Sequence, residues 1–227
     1  MLNAAEWAPV FLSFQVAFIA TLFIIPPAIA VAWLLSRPRL RGRLLIETLV
    51  TAPLVLPPII TGYLLLLLLG RGGLVGGWLH STLGFDIAFT WIGAAVAAGV
   101  LAFPLVVRAV QLSFESVDRR LEGASRTLGA SPWDTFFSVT LPLAAPGILA
   151  GSLLGFARCL GEFGATIVLA GNIPGQTQTI PLAVYSAINT PGGEQKAMFL
   201  LVISIALSIG ALVISQLLTR KKRRART

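Results

Sequence analysis

The sequence is short of the residues that do chemistry. It holds one cysteine, Cys159, and one histidine, His80, among 227 residues. A lone cysteine excludes an internal disulfide and a thiolate metal cluster, and a lone histidine has no second imidazole with which to hold zinc. Acidic residues number nine and are scattered, too few for a relay of carboxylates. The three lysines follow Gln195, Arg220 and Lys221. None follows a glycine, so the Gly-Lys-Ser/Thr phosphate cradle of a nucleotide-driven motor is missing. HExxH, GxSxG and CxxC are missing too. The expectation is a chain with no catalytic residues, no metal and no cofactor of its own.

Charge as a whole is scarce. Charged residues make up 11% of the chain, against about 25% in a soluble domain. Hydrophobic residues make up 56%, and the mean hydropathy is +0.87. These values define an integral membrane protein with a single domain over 1–227. The net charge of +8 has local causes. Arg37, Arg39, Arg41 and Arg43 form one cluster, and six basic residues fall between Arg220 and Arg226. Both clusters flank apolar runs, which is the orientation signal of a membrane protein. A nucleic-acid binder would spread its cations over a folded face with aromatics between them. The first basic residue is Arg37, so no cleavable signal peptide is expected at the start.

Apolar runs long enough to cross about 30 Å of hydrocarbon fall at 8–35, 44–69, 89–112, 143–170 and 198–218, giving an all-α chain of about five spans. Pro26 and Pro27 should bend the first. Pro53, Pro57 and Pro58 interrupt the second, and a span with a broken ladder needs neighbours or a water-lined cavity to satisfy its carbonyls. Pro57 and Pro58 are therefore pore candidates. The runs 70–88 and 171–195 are rich in glycine, proline and polar residues and read as external loops. In the fourth run, Arg158 and Glu162 are four apart and can pair along one helix face. With Thr166, they are polar residues at membrane depth, where such groups face a bundle interior or a cavity. The basic-residue bias puts the N-terminus outside and the C-terminus in the cytoplasm.

The longest polar-rich interval, 113–142, lies between the third and fourth spans. Val117, Leu121, Ala124 and Leu128 recur at helical spacing. Gly129 then suits a helix end that needs positive φ. Ser131, Pro132 and Asp134 fit the cap, first and third positions of a second helix. Trp133, Phe136 and Phe137 follow just inside it. Two short helices meeting at a glycine elbow are expected on the cytoplasmic side.

The ordered set Glu122, Gly123, Ala124, Gly129, Leu141 and Pro142 resembles the conserved cytoplasmic loop of ABC importer permeases. Gly123 departs from the alanine expected there, at a helix cost of about 1 kcal/mol. The segments VLPPIITGYLLL and FARCLGEFGATIVLAGNIPGQTQTIPLAVYSAINTPGGE extend the resemblance to the whole chain, within the molybdate and sulfate subgroup of that family. The resemblance implies the type I ABC importer permease fold, with a coupling-helix hairpin that seats on a separate ATPase. It also implies a homodimer in a bacterial or archaeal inner membrane, two copies of the ATPase inside and one substrate-binding protein outside. The cargo it implies is an oxyanion, with molybdate first and tungstate or sulfate as alternatives. A stand-alone carrier or channel is the competing class.

Overall fold

The computed structural model describes residues 4–37 and 40–224. It is helical throughout, with no strand among the described residues. Four helices are long and apolar enough to cross a membrane: Trp7–Leu35, Trp91–Glu115, Pro132–Leu160 and Glu194–Ile214. A fifth crossing requires the bent pair Arg43–Val55 and Pro58–Leu69.

Helix α1 (Ala4–Leu35) runs through Pro26 and Pro27 without interruption. The central helix is α5 (Trp91–Glu115), capped by the Thr90 hydroxyl, which accepts from the Gly93 N–H. Its buried face is mostly glycine, alanine and valine. Small residues let α1 and α8 (Leu141–Leu160) approach it closely. On α8, Gly147, Gly151 and Gly155 fall at every fourth position and meet Ser113, Ala109 and Val106 of α5. A side chain at any of the three would hold the two helices apart.

The second apolar run is not one straight span. Helix α2 (Arg43–Val55) and α3 (Pro58–Leu69) are bent by 111° at Leu56–Pro57. Leu56 is extended at ψ 141°, as the residue before proline prefers, and Pro57 precedes a helix that begins on Pro58. The fourth run is also broken. α8 ends at Leu160, and a short α9 (Gly164–Leu169) begins three residues after Gly161.

Both stretches read as external loops contain a helix. α4 (Leu74–Leu83) lies within 70–88, and α10 (Ile180–Ile188) lies within 171–195. α10 packs against α1 and α11 (Glu194–Arg224) through Ile180 and Ala183. The Ile180 N–H donates to the buried Ser13 hydroxyl at 2.7 Å. Burial, not loop chemistry, decides that segment. Near α4, Asp86 accepts from Arg71 at 2.7 Å and lies 3.0 Å from His80 Nδ1. The Arg71 hydrogen bond holds its carboxyl below the usual range. His80 thus sits beside the Arg71–Asp86 ion pair on the loop.

Candidate functional site

The interval after α5 folds as two short helices, α6 (Arg119–Thr127) and α7 (Pro132–Thr135). Asp118 caps α6 by accepting from the Arg120 N–H at 2.9 Å. Gly129 sits at φ +93°, a region where a Cβ meets steric cost. Its N–H donates to the Arg126 carbonyl at 3.0 Å. Ser131 then starts α7 with a reciprocal capping box: its hydroxyl accepts from the Asp134 N–H, and the Asp134 carboxylate accepts from the Ser131 N–H. The Ser131 hydroxyl, which also donates to the Asp134 carboxylate, and then the Ser131 N–H hold that carboxyl below its ordinary range.

After α7 the chain widens into one π-helical turn, Phe136–Thr140, and continues directly into α8. The extra residue of a π turn shifts the phase of the side chains. Phe136 and Phe137 consequently part company. Phe136 is buried, with its ring centroid 4.9 Å from that of Trp33 on α1 and 6.1 Å from that of Phe114 on α5. Phe137 stays 60% exposed and Trp133 62% exposed, and their rings stack at 6.3 Å. Leu121 and the almost fully exposed Leu128 add to this outer apolar surface. Phe136 anchors the hairpin to the membrane helices, Trp133 touches Trp33 of α1 at 5.8 Å between ring centroids while staying largely exposed, and Phe137 and Leu128 present their side chains to the outside.

Glu122 ties the two arms together. Its Oε1 accepts from the Thr140 hydroxyl at 2.6 Å, and the Ser125 and Thr135 hydroxyls lie 3.3 Å apart alongside. Gly123 and Ala124 are exposed, and a Cβ on Gly123 would meet nothing within 4 Å. Leu141 is half-buried and Pro142 exposed at the start of α8. Thr140, Trp33 and Phe114 escaped sequence reasoning. Thr140 stands directly before Leu141-Pro142, a usable signal, while the two aromatics lie in apolar runs without one.

The five pore candidates come together where the broken spans cross. Pro58 packs on Gly164, whose missing Cβ would lie 2.8 Å from the Pro58 Cβ. One turn on, Gly62 faces Ala165, where a Cβ would lie 2.7 Å from the Ala165 Cα. Pro57 remains exposed beside them, and Thr166 is buried. Arg158 Nη1 donates to Glu162 Oε2 at 2.7 Å. The other oxygen, Oε1, accepts from the Ala165 N–H at 2.9 Å. Glu162 is 3% exposed. Its carboxylate therefore bridges the end of α8 to the first turn of α9, satisfying an N–H that the helix cannot.

Packed apolar spans with a capped polar hairpin between two of them are the frame of a membrane permease subunit, and the family match assigns the chain to that class. Residues 24–224 match the family described as binding-protein-dependent transport system inner membrane component, and the chain belongs to that family. It is 51% identical over 223 residues to the molybdenum transport system permease protein ModB of Escherichia coli, covering 98% of this chain and 97% of that one. The corresponding protein of Haemophilus influenzae is 50% identical over 216 residues, 95% of this chain and 94% of that one. The E. coli sulfate transport system permease protein CysT is 40% identical over 171 residues, 74% of this chain and 61% of that one. Among solved structures, an inward-facing MetNI methionine ABC transporter matches with TM-score 0.68 at 17% identity, over 96% of this chain and all of that one. An alginate-importing bacterial ABC transporter matches with TM-score 0.70, also at 17% identity, over 95% of this chain and 80% of that one. The fold is that of type I ABC importer permeases, a multi-pass inner-membrane architecture whose family works with binding proteins and ATPases.

Proposed function

We propose that this chain is the membrane-spanning subunit of an ATP-driven importer that carries molybdate inward from a binding protein. The observation that carries the cargo is the 51% identity to a molybdenum permease over nearly the whole length of both chains. Hydrolysis falls to a separate ATPase, because Lys196, Lys221 and Lys222 lie outside any phosphate cradle. Two copies of the chain pair in the membrane, each docking one ATPase inside, with one binding protein on the outer face. The N-terminus lies outside and the basic C-terminal tail inside.

The hairpin 113–142 is where work enters. Trp133, Phe137 and Leu128 form a largely exposed apolar surface, the kind of aromatic anchor that protein interfaces use. Glu122, Gly123, Ala124 and Gly129 shape the elbow, while Leu141 and Pro142 start the helix that leaves it. From Pro132 to Leu160 the helical run is continuous, about 40 Å at 1.5 Å per residue. A tilt imposed on the hairpin therefore reaches the α8–α9 break as the movement of one rod. At that break, Arg158 neutralises Glu162, which keeps a bare carboxylate from opposing an anionic cargo. Pro57, Pro58 and Thr166 complete the crossing through which the spans hinge.

Binding-protein-dependent uptake into vesicles holding the assembled transporter tests this, with molybdate, tungstate and sulfate in competition. Molybdate should be taken up first, and only with ATP inside. Preferential sulfate uptake would favour the reading that the sulfate permease relative supports. Uptake by this chain alone without nucleotide would overturn the proposal.

A further inference from the structure

A cavity of about 960 Å³ opens between the segment after α1 and the hairpin. Four arginines line it, Arg37 and Arg41 from one side and Arg119 and Arg126 from the other. Glu122 is the one carboxylate in the lining, and it is already engaged by Thr140. Among the described residues, none of the four arginines has a carboxylate within ion-pair distance. Two of them are held in place by other means. The Arg37 guanidinium sits 3.9 Å above the Trp33 ring, and Arg119 Nη2 donates to the Ser36 carbonyl at 3.3 Å. Four guanidinium groups against one carboxylate leave the site with a net positive charge.

The rest of the lining is partly apolar, with the half-buried Trp33, Leu34, Leu40 and Val117 at its surface and Phe114 and Phe136 buried behind them. Trp33 and Phe114 lie in the last turns of the two membrane helices α1 and α5. The cavity therefore begins where hydrocarbon gives way to headgroups. An inorganic oxyanion or a lone carboxylate would use the guanidinium side and leave Trp33, Leu34 and Leu40 in water. An amphiphile uses both.

We infer that this cavity binds the headgroup of an anionic phospholipid, its phosphate among Arg37, Arg41, Arg119 and Arg126 and its upper acyl chain along Trp33, Leu34 and Leu40. Basic recesses between helices at a membrane surface take anionic headgroups for this reason, and each nearby arginine strengthens the attraction. Because Arg119, Arg126 and Phe136 belong to the hairpin, the lipid bridges the hairpin to the α1–α2 segment. The site is independent of which cargo is carried.

The test uses the full chain purified with its ATPase in detergent. Equal amounts of phosphatidylglycerol and phosphatidylcholine are offered, and retained lipid is read by native mass spectrometry. Phosphatidylglycerol should be retained preferentially and should survive excess inorganic phosphate. Retention should fall about fivefold for each of Arg37, Arg41 and Arg126 changed to Gln, while the Arg→Lys set keeps it. Equal retention of both lipids by the unaltered chain overturns the proposal, and this arm needs no variant to fold. Loss of phosphatidylglycerol to inorganic phosphate assigns the site to a free anion instead. Glutamine variants that keep the lipid but shed the ATPase assign the arginines to an acidic protein surface, which also overturns it.

Discussion

Glu122 and Glu162 each tie one helix to the start of another, but in different media. Glu122 is half-buried at the water side and spans from α6 to Thr140 through a single hydroxyl contact. Glu162 is buried within the bundle and holds two partners, the Arg158 guanidinium and the Ala165 N–H. Water can replace what Glu122 supplies. Nothing near Glu162 can replace a countercharge and a cap together. The contrast separates a tie that adjusts a docking element from one on which the assembly of the membrane region depends.

The sharpest break of this comparison is to delete each carboxylate. Glu162→Ala leaves Arg158 without its countercharge and orphans the Ala165 N–H, and should cost about 3–5 kcal/mol. Arg158→Ala strands the Glu162 carboxylate, whose side chain is 3% exposed, and should cost a similar amount. Glu162→Gln keeps an acceptor for Ala165 and should retain most transport. Glu122→Ala loses one hydrogen bond, about 0.5–1.5 kcal/mol. Detergent-extracted yield and thermal midpoint of the four variants check the order. Equal losses at the two glutamates would erase the distinction.

The hairpin has its own point of failure, and it should be silent in yield. Proline at position 129 cannot adopt the +93° that Gly129 holds, and it deletes the donor to the Arg126 carbonyl. The local cost is about 3 kcal/mol. Since the elbow lies outside the packed spans, Gly129→Pro should assemble normally but lose stimulation of the ATPase by loaded binding protein. Unchanged stimulation would count against the hairpin as the coupling element.

Two glycines sharpen the contrast at smaller scale. Gly62 faces the Ala165 backbone with no room for a methyl group, whereas Gly123 faces open space. Gly62→Ala must push α3 away from α9 and should destabilise by about 1–3 kcal/mol. Gly123→Ala should be neutral or stabilise the hairpin by up to about 1 kcal/mol, from helix propensity alone. Thermal unfolding of the pair decides whether the crossing at Gly62 is as tight as its geometry demands.

The same contrast explains what the sequence disclosed. Hairpin signals are local: Gly129, Ser131, Pro132 and Asp134 carry their meaning in their own spacing, and the structure places each in the expected role. The Arg158–Glu162 pair is local too, being one helical turn. The 111° bend at Leu56–Pro57 was legible as a break but not as a direction, because α9 packed against α3 contributes to setting the angle. α4 and α10 were hidden by glycine and proline in stretches whose helicity comes from packing or short-range closure. The opposite fates of Phe136 and Phe137 depend on a π turn and on Trp33, a hundred residues earlier in the chain. The Gly147, Gly151 and Gly155 ridge takes its meaning from Ser113, Ala109 and Val106 on α5, contacts between helices that no local spacing states.

The smallest expected effect concerns the α7 cap, and it carries a pH signature that packing effects lack. Ser131→Ala removes the acceptor of the Asp134 N–H and the hydroxyl that stabilises the Asp134 carboxylate. Exchange of the first α7 amides should quicken about fivefold at neutral pH. The Asp134 carboxyl is held below its ordinary value in the folded hairpin. Its contribution is therefore present above the unfolded value of about 3.9 and is lost as pH falls through the lower, folded value. Below about pH 4 the difference between Ser131→Ala and the unaltered chain should shrink, because protonation removes the charge that the hydroxyl stabilises. The nearest neighbours of Gly151 on α8 are Val106, Ala109 and Val110, none with a carboxyl, so the cost of Gly151→Ala should stay flat over the same range. A parallel decline in both would mean that the acid effect is global, and that the cap does not act on its own.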